Sequence, residues 1–171
     1  MRKVAIYTIL ILGVQIANGQ VKFEAQIGGS NFLGLTLNTA FDIKLSESGN
    51  HFIVPSLGVG ITYLGDGPIG SITHVGLNYR YKNLGFGTEV SGFSSCPLLG
   101  QFYFHELVDV MIYPNANYTF QIRTNWYIIV SAGLIFGLYE DYHWNDNSIQ
   151  PSSYIACMLI PWIGLSFGYK F

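Results

Sequence analysis

PWIGLSFGYKF, residues 161–171, decides the fold. Ile163, Leu165, Phe167, Tyr169 and Phe171 share one face of a strand, and Gly164, Ser166, Gly168 and Lys170 share the other. This is the two-residue period of a strand with one apolar side. The sequence then stops on a large aromatic side chain. A soluble domain seldom ends on an uncovered apolar strand. A membrane β-barrel does, because its last strand closes onto its first and faces lipid.

The opposite end agrees. Arg2 and Lys3 precede an apolar run over 4–14, and Ala17, Asn18 and Gly19 supply small residues at a cleavage site. The pattern predicts a signal peptide over 1–19, cut before Gln20, and a single mature domain over 20–171. An amino-terminal strand or membrane anchor is the alternative. The run is shorter than the roughly 20 residues a spanning helix needs.

Hydrophobic residues make up 50% of the chain, aromatics 16% and charged residues 11%. An ordinary soluble domain carries about 25% charged residues. A barrel whose outer face meets lipid accounts for the deficit, and a soluble sandwich does not. Two Cys are too few for a disulfide scaffold.

Alternation places eight strands, at about 21–29, 33–45, 53–64, 72–82, 85–93, 108–122, 127–139 and 161–171. The expected fold is all-β: an eight-stranded antiparallel up-and-down transmembrane barrel with a side-chain-filled lumen. Val21, Phe23, Leu35, Leu37, Leu57, Val59, Val75, Leu77, Val130 and Leu134 face outward. Lys22, Glu24, Gln26, Thr36, Asn38, Asp42, Lys44, His74, Asn78, Arg80, Lys82, Asp109, Tyr113, Asn115, Asn117 and Gln121 face inward. A two-residue turn at Asn83 and Leu84 would pair Tyr81 with Phe86. It would also set Arg80 diagonal to Glu89, within reach of an ion pair. Residues 140–153 read as a loop. Pro114 and Pro161 interrupt strands and raise the question of bulges.

With both ends of the barrel on one side, Lys22, Lys44, Arg80, Lys82, Arg123 and Lys170 collect at that end. Asp66, Glu106, Asp109, Glu140, Asp141 and Asp146 collect at the other. The basic residues form no stripe for nucleic acid, and no nucleic-acid partner is expected. Cys96 and Cys157 map to the loop end, on non-adjacent strands, and the sequence leaves their pairing open.

The terminal GLSFGYKF motif resembles the carboxy-terminal signal of bacterial outer-membrane barrels. In pattern the whole mature chain resembles the small barrels of the OmpA-transmembrane and OmpX type. The resemblance implies residence in the outer membrane of a Gram-negative cell, with outer-membrane lipid as surroundings. It also implies assembly by the barrel-assembly machinery, which would read Phe167, Tyr169 and Phe171 on the last strand.

Some small barrels deacylate or palmitoylate lipid A, and deacylases carry Ser two positions after His. Here the residues two after His51, His74, His105 and His143 are Ile53, Gly76, Leu107 and Asn145. No catalytic site is therefore expected. The segment EDYHWNDN over 140–147 combines acids, a His and amides, but its spacing matches no known metal loop, and no metal or cofactor is expected. His74 could still converge with Ser71 or Glu89 in the lumen. The preferred reading is a luminal polar network of His74, Asn78, Arg80, Glu89, Asp42, Lys44 and Asp109. The functional expectation is a non-enzymatic barrel with a structural or interaction role, such as an accessory subunit bound to other outer-membrane proteins. The alternatives are a lipid-modifying enzyme and a narrow conduit for small apolar solutes. A lipocalin-like secreted barrel would need an apolar lumen.

Overall fold

The computed structural model describes residues 20–46, 49–62, 70–95, 110–138, 141–145, 148–152 and 160–171. The signal peptide expected over 1–19, Asp109, Cys96 and Cys157 lie outside the described residues. The strands are β1 (Gln20–Gly28), β2 (Leu35–Lys44), β3 (His51–Thr62), β4 (Gly70–Tyr81) and β5 (Leu84–Ser95). They continue as β6 (Val110–Gln121), β7 (Trp126–Leu138), β8 (Asp141–Asn145), β9 (Ser148–Ser152) and β10 (Ile160–Lys170). Eight of them close one antiparallel barrel in the order β1-β10-β7-β6-β5-β4-β3-β2. Closure runs from Lys22↔Lys170 to Gly28↔Gly164. It removes both sheet edges, so every strand has two neighbours for its backbone polar groups.

The pleat sorts the side chains. Ile163 is 71% exposed and Leu37 and Val59 are each 67% exposed, whereas Thr36, Ser91 and Tyr113 are fully buried. Among the described residues, buried polar side chains outnumber buried apolar ones. No Asp, Glu, Lys or Arg occupies an outward position of a barrel strand. The core is therefore a polar cylinder in an apolar jacket, the inverse of a soluble domain.

Three expectations need correction. The segment over 140–153 is not a plain loop, because β8 and β9 pair there as a separate hairpin between β7 and β10. Its strands are five residues each and rich in polar residues, so they gave no apolar alternation to read. The turn between β4 and β5 is formed by Lys82 and Asn83, giving Tyr81↔Leu84 and Tyr79↔Phe86. Lys82 adopts φ 54 there and is exposed, not luminal. This register differs from the expected one by two residues, so every side chain keeps its face while its partner changes. Arg80 consequently sits opposite Gly85, and Glu89 opposite Gly76.

The prolines make no bulge. The β2–β3 ladder passes from Ala40↔Ser56 to Ile43↔Ile53 with unchanged register, and Pro55 lies in the gap. Likewise the β6–β7 ladder passes from Ile112↔Phe136 to Asn115↔Gly133, with Pro114 in the gap. Each proline removes a donor from the ladder without adding a residue. Pro161 lies beyond Gly28↔Gly164, the last β1–β10 pair, and meets only β7.

Candidate functional site

The lumen holds the polar chemistry of the described residues. At the end carrying Gln20 and Lys170, Asp42 on β2 binds two cations. Lys22 Nζ on β1 lies 2.6 Å from Asp42 Oδ1, and Arg80 on β4 donates to Asp42 Oδ2 at 2.5 Å. The side chains of Lys22 and Asp42 are each 3% exposed and that of Arg80 is 12% exposed. Arg80 also lies over the Phe52 ring and Lys22 over the Tyr127 ring, which shield both cations from water. Arg80 therefore pairs with Asp42 and not with Glu89. Strand β3 separates these two partners, so their contact crosses the lumen and lies beyond any nearest-strand reading.

A second group spans the middle. Gln26 Nε2 donates to Glu89 Oε2 at 2.7 Å, and Asn38 Nδ2 donates to Gln26 Oε1 at 2.7 Å. Asn115 Nδ2 donates to Glu89 Oε1 at 3.4 Å. Asn117 Nδ2 donates to Asn78 Oδ1 and to Asn115 Oδ1, each at 3.1 Å. The Tyr127 hydroxyl donates to Glu24 Oε1 at 2.7 Å. Between the two groups is a cavity of about 40 Å³, lined in part by Lys22, Glu24, His74, Arg80 and Glu89. That is room for a few waters and no larger solute.

The third group closes the far end. Gly28 and Gly29 take φ values of 75 and 60, which turn the chain into the barrel instead of away from it. The resulting 3-10 turn, Gly29–Asn31, is buried. Asn31 Nδ2 donates to Thr36 Oγ1 at 2.8 Å, and Ser91 Oγ donates to Asn31 Oδ1 at 2.8 Å. Ser30 Oγ lies 2.8 Å from Ser91 Oγ and 3.2 Å from His74 Nδ1. Ser91 gives its single proton to Asn31, so Ser30 must donate to Ser91. His74 is then left to donate through Nδ1–H. A general base needs the opposite arrangement, with a serine hydroxyl donating to the imidazole. His74 is also 1% exposed, out of reach of a lipid substrate. Above it Phe32, at φ 54, stacks on Trp162 with ring centroids 4.8 Å apart.

The expected network is thus partitioned. His74 meets Ser30 and Ser91, Asn78 meets Asn117, Arg80 meets Asp42, and Glu89 meets Gln26 and Asn115. Lys44 does not belong to the lumen: as the last residue of β2 it is exposed at the mouth. Gln121, also at a strand end, is exposed and donates to the carbonyls of Arg123 and Thr124 in the β6–β7 turn. The sequence reading overlooked Ser30, Asn31 and Ser91. The consecutive glycines at 28 and 29 marked a turn but not its inward course.

The apolar jacket carries aromatic clusters near the Gln20 and Lys170 end. Trp126 stacks on Phe167 at 5.0 Å and meets Tyr169 edge-on at 4.8 Å. Phe171 meets Phe23 at 5.4 Å and Tyr169 at 4.9 Å. The far side of the ring has His51 bonded to the Tyr79 hydroxyl at 2.6 Å. Amphipathic rings at this level match the belt that membrane proteins place at a lipid–water boundary.

No family model matches the chain. No curated protein matches it either. Among solved structures, the chain is similar to a major outer membrane protein from Thermus thermophilus, at 13% identity and a TM-score of 0.42. The likeness covers 90% of this chain and 99% of that one. At that level the role of the chain has to come from its own geometry.

Proposed function

We propose that the chain is a β-barrel of a Gram-negative outer membrane with a structural or interaction role and no catalytic one. One observation carries this reading: a closed cylinder with charges inside its wall and apolar, uncharged side chains at the outward positions of its strands. Burying one large apolar side chain is worth about 1.5–3 kcal/mol. More than a dozen stand exposed on the jacket. In water that gain would be forgone at every one of them, and a continuous apolar surface of this size would drive the chain to associate. Acyl chains are the surroundings that such a surface requires, and outer-membrane lipid is the first partner. The apolar outer face of β10, with Phe167, Tyr169 and Phe171, is the surface offered to the barrel-assembly machinery. Binding to other outer-membrane proteins would use the rims, where charge and loops are concentrated.

The filled lumen and the donor role of His74 favour this over a conduit or a lipid-modifying enzyme. Expression in a Gram-negative host tests it. The chain should sediment with outer membranes, resist carbonate washing, and run faster unheated than boiled on a detergent gel. A chain that stays dissolved without detergent overturns the membrane reading. Lipid A mass spectra that change on expression and revert in a His74→Ala variant overturn the non-enzymatic one.

A further inference from the structure

We propose that the barrel end carrying Gln20 and Lys170 bears a ring of cations that selects anionic phospholipid headgroups in the surrounding leaflet. This rests on the membrane reading above. Four cations besides the ion-paired Lys22 and Arg80 mark this end. Lys44, Lys82 and Arg123 are exposed, and Lys170 is half-buried. In barrel order, Lys170 ends β10, Arg123 lies in the β6–β7 turn, Lys82 lies in the β4–β5 turn and Lys44 ends β2. Each quarter of the circumference thus carries one positive charge.

Nothing described neutralises them. Asp42 is the acidic side chain at this end among the described residues, and it is buried and committed to Lys22 and Arg80. None of the four ring cations has a carboxylate partner among the described residues. Glu47, in the β2–β3 turn, lies outside them. The distribution decides the occupant. A single bound anion needs cations that converge, whereas these are dispersed around a perimeter. A planar layer of headgroups encircling the barrel meets all four at once. The ring also sits at the level of the aromatic belt: Lys82 Nζ is 5.4 Å from the Tyr81 ring centroid, and Lys170 follows Tyr169. Long cationic side chains there lay their stems on apolar surface and extend their charge to the phosphates.

Trp126 is an internal reporter, outward-facing, 39% exposed and beside Tyr169. The full chain bearing W144F and W162F, which leaves Trp126 as its single tryptophan, is folded into vesicles of mixed phosphatidylcholine and phosphatidylglycerol. One of the two lipids carries brominated, fluorescence-quenching chains. Brominated phosphatidylglycerol should quench Trp126 about threefold more effectively at equal mole fraction. The preference should vanish in 1 M salt, where charges are screened beyond about 3 Å. It should also vanish when K44Q, K82Q, R123Q and K170Q are combined. If that variant fails to fold, the salt series on the unsubstituted ring decides alone. Equal quenching by the two lipids, or a preference that survives high salt, overturns the proposal. A chain that inserts, by its unheated gel mobility, yet shows equal quenching sinks this inference and leaves the membrane reading intact. A chain that does not insert sinks both.

Discussion

The Tyr127 hydroxyl donates to Glu24 Oε1 across 2.7 Å, joining β7 to β1 past the intervening strand β10. Both side chains are buried, at 1% and 9% exposure. The bond therefore braces the seam where the last barrel strand meets the first. Tyr127→Phe strips a buried acceptor of its donor and should cost about 1–3 kcal/mol. Urea unfolding in lipid vesicles, followed by fluorescence, measures it. A midpoint unchanged by the substitution would show that water replaces the hydroxyl freely.

Gly168 faces the same tyrosine. A Cβ at this position would lie 2.3 Å from Tyr127 Cζ and 2.5 Å from its hydroxyl. Gly168→Ala should destabilise the barrel by about 1–3 kcal/mol through overpacking. In a double-mutant cycle with Tyr127→Ala, most of that penalty should disappear, because the clashing ring is gone. Additive effects would place the clash elsewhere.

Asp42 balances two buried cations, so its charge matters more than its shape. Asp42→Asn leaves Lys22 and Arg80 facing each other without a counterion and should cost about 3–5 kcal/mol. Replacing all three together, as Lys22→Met, Asp42→Leu and Arg80→Met, should recover most of the loss, since no charge is left uncompensated. The comparison of unfolding midpoints separates the worth of the triad from the cost of breaking it.

Lys82 holds φ 54 in the two-residue turn between β4 and β5. A left-handed backbone costs a side-chain-bearing residue about 1–2 kcal/mol, a cost glycine escapes. Lys82→Gly should stabilise the barrel by up to about 1 kcal/mol, offset in part by the greater freedom of glycine in the unfolded chain. A lower unfolding midpoint would mean that the Lys82–Tyr81 contact outweighs the strain.

The facing of residues was legible because parity alone decides it. Ile163 and Gly164 fall on opposite sides whatever the register. Pairing was less so. The β4–β5 turn lies one residue earlier than its sequence suggested, which moves every partner by two and leaves each face unchanged. Arg80 thus lost its expected neighbour Glu89 and found Asp42 on a strand two removed. Contacts across a lumen depend on barrel curvature, which a period of two does not encode. Lys44 was misplaced for a related reason: parity points it inward, but at the last residue of β2 the lumen has ended. The burial of Ser30 and Asn31 was hidden because a polar stretch with paired glycines reads as a surface turn.

The inward course of Gly29–Asn31 also limits how this scaffold can be re-engineered. A foreign epitope spliced between β1 and β2 would draw Ser30 and Asn31 off Ser91 and Thr36, hollowing one end of the cylinder instead of merely lengthening a surface connection. Display libraries and affinity tags therefore belong elsewhere on the molecule.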